Sequence, residues 1–395
     1  MKRLTALIFT MTIGLYAVAQ TALNAPLTPI HADSIYLMDF FWDKYQHKAS
    51  QLDATPVKHD WSVKKTSAGK VAKLVAQCDK AMQQASILGN TKGKADNLEQ
   101  SVKLFNLSYQ LALLTGHAKY IDFAEHILYN RILTQWASER NSKAWKEAND
   151  ILRTIDQMAY SQLDDHIYIN TLVRSNAHLT APGVDIYLQT NNSGPWQYNT
   201  SLNFASNMQP VNVQYVENVY EDPNDPRTLL YKKIYTEQSD LKPSQATIHI
   251  RIPWWVNGKN YLPAYNAKAK KAPLQIMVNG IAANPEIKDG YAMITRSWAP
   301  DDFISINMPT PILRITDRQD DSQMALQRGP MVYQFDEIDA GCTIDASSPI
   351  NHQYDQTMQC TILSGNLQNG TSTVPLRALP AYLATPGCKN FAPTR

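Results

Sequence analysis

Apolar positions change their spacing once along the chain, and that change divides the molecule. From about residue 67 to 165 they recur at three- and four-residue steps. Leu98, Val102, Phe105, Tyr109, Ala112 and Leu113 form one stripe. Tyr120, Phe123, Ala124, Ile127 and Leu128 form a second that reaches Trp136. Trp145, Ala148, Ile151, Leu152, Ile155, Met158, Ala159 and Leu163 form a third. This spacing predicts amphipathic helices, each burying one face against its neighbours. Thr115-Gly116 between the first two stripes predicts a tight turn and an antiparallel helical hairpin.

Beyond Leu163 the pattern alternates. Ile167-Tyr168-Ile169, Thr247 to Ile252, Gln275 to Val278 and Ser305 to Met308 read as short strands. Turn residues bound them: Pro182-Gly183, Asn192-Ser193-Gly194, Asn279-Gly280 and Asp289-Gly290. Many short strands at this spacing predict one or two β-sandwiches. Residues 20–66 hold Phe40-Phe41-Trp42 and show no clear period. The organisation expected is an N-terminal segment to 66, a helical domain over 67–165 and a β-sandwich region over 166–395, divided into two sandwiches.

Composition narrows the function classes. The chain has 395 residues with 37 basic and 35 acidic side chains, a net charge of +2. That balance argues against a nucleic-acid partner, which needs clustered positive charge. Charged residues are 18% of the chain, and much of the polar surface is amide and hydroxyl with 20 Tyr and 8 Trp. Such surfaces suit uncharged polyhydroxy ligands. Met1-Lys2-Arg3, the apolar run Leu4 to Val18 and the small-x-small Ala17-Val18-Ala19 predict a cleaved secretory signal over residues 1–19. The run is short for a membrane span, and no cysteine stands near the cleavage point to take a lipid. The expected location is secreted or periplasmic, with no membrane partner. There the four cysteines, Cys78, Cys342, Cys360 and Cys388, can form disulfides, and a bridge among the last three is open in its connectivity. They form no compact metal-binding cluster with histidine.

Several segments together resemble glycoside hydrolase family 127, the β-L-arabinofuranosidase-like family. Leu98-Glu99-Gln100-Ser101 leads to Leu113-Leu114-Thr115-Gly116-His117-Ala118-Lys119-Tyr120 and then Ala124 to Asn130, in the family's order. In the β region, Gln189 to Trp196, Ile250-Arg251-Ile252-Pro253-Trp254-Trp255, Val278-Asn279-Gly280, Gly290-Tyr291 and Ala325 to Tyr333 follow, with Leu379-Pro380-Ala381-Tyr382 as a late remnant. The resemblance covers roughly residues 97–135 and 165–385. It implies a multidomain α+β protein: a partial α/α (six-hairpin) toroid followed by antiparallel β-sandwich domains.

The chemistry the resemblance implies is retaining hydrolysis of a furanoside by a zinc-held cysteine thiolate. The family places a Glu-x-Cys at one helix start and Cys-Cys-Pro-Pro-Asn at a later one. Here Glu99 is kept, Ser101 replaces the cysteine, and Trp145-Lys146-Glu147-Ala148-Asn149 stands at the second motif, where only Asn149 agrees. A serine hydroxyl is a poor zinc ligand, so zinc is expected in the family but no metal site is expected here. Only about eighty residues separate the signal from Glu99, too few for the family's preceding helical hairpins. Glu99 is thus the one carried-over catalytic candidate. The other candidate carboxylates for an acid–base pair are Glu125, Glu139, Glu147, Asp156, Asp164 and Asp165. Trp196, Trp254, Trp255 and Tyr291 are candidates for stacking on sugar, against the alternative that they fill the core. Because Trp254 and Trp255 are placed at a strand end, one ring is expected in the core and the other outside it. The partner expected is a carbohydrate of plant type. The readings are an arabinofuranosidase-like hydrolase, a glycan-binding or structural relative without catalysis, and an exported scaffold for another protein.

Overall fold

The computed structural model describes residues 23–394. Outside the description are 31–34, 38–39, 86–96, 137–139, 141, 172–174, 182–183, 192–198, 207–214, 217–231, 234–243, 259–264, 268–273, 299–301, 309, 318–321, 337, 339–340, 346, 359, 384–387 and 390–391. The helical stripes form α1 (Phe40–Leu52), α2 (Ala68–Gln84), α3 (Leu98–Thr115), α4 (Ala118–Ile127), α5 (Leu133–Trp136) and α6 (Lys143–Arg153). The Asn97 side chain accepts the Gln100 N–H and starts α3; Gly116, at φ +64°, ends it and lets the chain turn into α4. The expected hairpin is there. α1 lies where the sequence shows no period, and it packs on α6 with Trp42 buried against Tyr129, ring centroids 5.4 Å apart. Between α4 and α5 the backbone widens over Leu128–Ile132 into a single π-type turn.

The β region starts earlier than residue 166. Tyr160–Leu163 and His166–Ile169 form a hairpin whose turn places Asp164 at φ +53°. With Thr28–Pro29, Ser244–Arg251, Tyr291–Trp298 and Glu286–Lys288 they build a six-stranded sheet. All its pairings are antiparallel except His166–Ile169 with Ser244–Arg251, which run parallel. A long excursion through the second sheet supplies the crossover that a parallel pair needs. That second sheet has seven strands, ordered Ile281–Ala283, Gln275–Val278, Phe303–Asn307, Asn199–Ser206, Val184–Asn191, Ser175–Ala181 and Ile35–Leu37. The two sheets face one another, with Ile248, Ile250, Ile304 and Ile306 in the core. Residues 20–66 are therefore not a separate segment, because they give one strand to each sheet and one helix to the helical layer.

Among the described residues these two sheets form one sandwich. Tyr215–Val216 pairs with Lys232–Lys233 apart from the other sheets, and nine further strands make one sheet running through the long hairpin Cys360–Asn369 and Ser372–Pro380. It packs against the wide turn Leu128–Ile132 through Met331–Phe335. Cys342 pairs with Asn369, nine residues along the strand from Cys360, or about 30 Å at the rise of a strand. That is far beyond disulfide reach. The Cys388 thiol instead lies 3.7 Å from Asp336 Oδ1.

Polar side chains join the helices to both sheets. In Ser244–Arg251, Ala246, Ile248 and Ile250 face the second sheet, so Thr247, His249 and Arg251 project to the other side. Alternation alone would put that side in water, yet all three are buried. α4 covers Arg251: Nη1 donates to Asp122 Oδ1 at 2.5 Å and Nη2 to Glu125 Oε2 at 2.6 Å. The two carboxylates are three residues apart on one face of α4. Beside them the Asp289-Gly290 turn accepts the Ala118 N–H at 2.8 Å. A Cβ on Gly290, at φ +85°, would lie 2.6 Å from that of Ala118, so only glycine fits. In the wide turn, Asn130 donates to the Pro330 carbonyl and accepts the Val332 N–H, both at 2.7 Å, and so ties the helices to the nine-stranded sheet.

Burial pushes the Asp122 carboxyl up to about 6 and Glu125 to about 8, while the Arg251 charge opposes both shifts. A carboxyl raised in the folded state stabilises fully below its unfolded value. The contribution is lost as pH rises through the folded value. His59, His126 and His249, whose values burial lowers, oppose this below about pH 6.5. The unfolding free energy should therefore fall through Glu125 between about pH 7 and pH 8.5, and Glu125→Gln should flatten that slope. Arg251→Leu, which leaves two buried carboxyls without their cation, should cost about 3–5 kcal/mol. Urea titrations across pH measure both; a flat wild-type profile with a mild Arg251→Leu would contradict the assignment.

Candidate functional site

The polar faces of α3 and α6 meet in an open groove of about 520 Å³. α3 turns Leu98, Val102, Phe105 and Tyr109 into the core. The opposite stripe, Glu99, Lys103, Asn106 and Gln110, is left to line the groove with Asn97 and Leu107. α6 likewise buries Trp145, Ala148, Ile151 and Leu152 and presents Ser142, Lys143, Ala144 and Glu147. Asn97 and Ser142 are the N-caps of the two helices; each accepts a backbone N–H three residues on, at 2.9 Å. Both helix N-termini thus open onto one space.

Glu99 stands at the mouth of this space and not in an enclosed pocket. Its carboxylate meets Lys103 Nζ at 2.5 Å, with the two side chains 59% and 68% exposed. The Lys103 hydrogen bond and charge, helped by Lys143, hold the Glu99 carboxyl below its usual range. An ionised carboxylate of this kind can orient a ligand hydroxyl or act as a base; it is poorly suited to donate a proton at neutral pH. Glu147 is the other candidate carboxylate that lines the groove. Glu125 is held by Arg251, Asp156 accepts from Gln46 at 3.1 Å, Asp164 and Asp165 form the β-hairpin turn, and Glu139 lies outside the described residues.

The positions that the resemblance assigns to zinc ligands do not fit a zinc ion. Ser101 is buried and its hydroxyl donates to the Asn97 carbonyl at 3.2 Å, along its own helix. Trp145 is buried in the core. Asn149, the one agreeing residue, donates to the Ala49 carbonyl and accepts from Trp136 Nε1, which makes it a packing residue. Among the described residues no three His, Cys, Asp or Glu side chains come together as metal ligands. The fourth cysteine, Cys78, sits 3.7 Å from Ser108 Oγ, and burial pushes its thiol up to about 11.

The aromatic candidates fall elsewhere. Trp196 lies outside the described residues. Trp254, Trp255 and Tyr291 are 2%, 2% and 1% exposed, and none lines the groove. The strand ends at Arg251, and Trp254–Asn257 forms one helical turn. Neighbours on a helix diverge by about 100° and not 180°, so both tryptophans reach the core, at 80° to one another. The Tyr291 hydroxyl donates to Asn170 Oδ1 at 3.0 Å. In this conformation these rings offer no face to a sugar. Lys103, Asn106, Gln110, Ser142 and Lys143 escaped the sequence reading. The signal was present as the polar complement of the α3 stripe, but nothing in one sequence says which solvent face becomes a groove.

Glu99→Gln keeps the side chain's shape and removes one exposed charge. Its thermal midpoint should match that of the wild type, because exposed pairs one helical turn apart add little. A clear drop on differential scanning calorimetry would show that Glu99 is a structural residue.

Residues 227–310 match the family model described as β-L-arabinofuranosidase, GH127 middle domain. No curated protein matches the chain in sequence. Among solved structures, a GH127 β-arabinofuranosidase superposes with a TM-score of 0.65 at 17% identity, over 92% of this chain and 60% of that one. A GH127 β-L-arabinofuranosidase from Geobacillus stearothermophilus T6 gives 0.59 at 16%, over 82% and 60%. A third, described as a glycoside hydrolase, gives 0.56 at 16%, over 78% and 53%. The chain spans about 60% of the length of the first two structures it matches.

Proposed function

We propose that this chain, which resembles glycoside hydrolase family 127 in its middle domain and overall fold, binds carbohydrate in the α3–α6 groove without zinc–thiolate hydrolysis. The observation that carries the proposal is the groove's lining. Three amides, a serine hydroxyl and two pairs of opposite charge surround it, a set that hydrogen-bonds hydroxyls and leaves little net field for an ion. The ligand is an arabinofuranosyl-bearing glycan of plant type, met outside the cytoplasm if residues 1–19 are a cleaved signal. On this reading the helical layer is the shortened remnant of a toroid, as the resemblance to the family implies.

Acid–base hydrolysis is the second reading, favoured by Glu99 and Glu147 lining one groove. It requires one carboxyl to stay protonated while the other ionises. Within the groove Glu99 is held ionised by Lys103. Of the carboxyls that burial raises, Asp122 and Glu125 are engaged with Arg251 in the core and Asp156 accepts from Gln46, so none faces the groove. Binding is therefore the better supported function.

Calorimetry of the mature protein with arabinofuranosyl oligosaccharides, run beside turnover of an aryl β-L-arabinofuranoside, tests this. Saccharide should bind, Asn106→Ala and Gln110→Ala should each weaken binding about tenfold, the loss of one hydrogen bond, and no turnover should occur. Turnover abolished by Glu99→Gln would establish the second reading. Absence of both binding and turnover would leave the scaffold reading.

A further inference from the structure

The described surface exposes few large apolar side chains, and three of them share one rim of the sandwich. Ile281 is 74% exposed, Ile287 47% and Met277 38%. They lie on three consecutive short strands, Gln275–Val278, Ile281–Ala283 and Glu286–Lys288. The Asn279-Gly280 turn, with φ of +53° and +77°, joins the first two, and Asn284-Pro285 carries the chain across to the third. Ile281–Ala283 is the last strand of the seven-stranded sheet and Glu286–Lys288 the last of the six-stranded sheet. Each pairs on one side only among the described residues. Each therefore presents backbone N–H and C=O groups that another strand can take up.

We infer that this rim is a two-fold interface with a second copy of the same chain, centred on Ile287. The sequence Glu286-Ile287-Lys288 is what selects a copy of itself. When two such strands pair antiparallel about a two-fold axis through Ile287, Glu286 of one stands opposite Lys288 of the other, twice, and the isoleucines meet at the centre. Opposite charges directly across an antiparallel pair are favourable and like charges are not. The interface is isologous, with every contact made twice. Pairing extends the six-stranded sheet through the axis. Edge charges commonly keep strands apart; here their order makes them complementary under the two-fold. The strand is short, so the dimer is weak and its population depends on concentration.

Sedimentation velocity of the full mature protein, from about 1 to 300 μM, reads this out. The wild type should pass from monomer to dimer across that range. Glu286→Lys places lysine opposite lysine and should weaken dimerisation at least about tenfold. The double variant Glu286→Lys with Lys288→Glu restores complementarity in both copies and should restore the dimer. Ile287→Lys should leave a monomer. All three positions are exposed, so unchanged thermal midpoints verify that the variants are folded. A wild type that stays monomeric throughout, or a dimer indifferent to Glu286→Lys, would overturn the inference.

Discussion

The Arg251 guanidinium, taken wholly out of water between Asp122 and Glu125, is the constraint on which the rest of the molecule depends. It sits on the polar side of a strand whose other side forms the sandwich core, so it fixes how α4 lies on the six-stranded sheet. α3 follows from α4 through the Gly116 turn, and the groove follows from α3. A buried guanidinium with two carboxylates is poor at adding net stability, since desolvation consumes most of the Coulomb gain. What it does well is exclude other arrangements, because any slip of α4 leaves buried charge unpaired. Asn130 plays the matching part toward the nine-stranded sheet with hydrogen bonds instead of charge.

These contacts also give physical content to the family-like segments. Asp122, Glu125 and Asn130 lie in or beside the run that follows the Thr-Gly turn; Arg251 lies in the Arg-Ile-Pro-Trp-Trp segment; Gly290 and Pro330 lie in two others. In the structure these segments touch one another in pairs, helix to sheet. Much of the resemblance therefore records how the layers are fastened. The positions that the resemblance assigns to metal follow a different rule: the Ser101 hydroxyl bonds along its own helix and Trp145 is a core residue.

The sequence made the local elements legible and the long-range cover illegible. The α3–α4 hairpin, the alternating strands at 247–252 and 275–278 and the Asn279-Gly280 and Asp289-Gly290 turns are all visible from spacing and turn chemistry, because each is decided within a few residues. α1 was not, since Trp42 and Ala49 are buried by contacts with α6 and the wide turn, a hundred residues away. Arg251 reads as a solvent-facing strand residue until α4 covers it. Trp254 and Trp255 misled because a strand-end assignment forces neighbouring side chains apart, and one turn of helix does not. At the groove, Glu99 was visible through the resemblance alone; Lys103, Asn106 and Gln110 were hidden because an exposed helix face looks the same whether or not another helix faces it.

We propose that the α3–α6 groove takes its ligand without zinc, since Ser101 and Trp145 are committed to helix and core. Titration of the metal-stripped, reduced protein with zinc in a calorimeter reads this out. No stoichiometric site should appear, and the trace should be unchanged by Glu99→Gln. A one-to-one site of submicromolar affinity, lost on Glu99→Gln while the fold persists, would overturn the proposal.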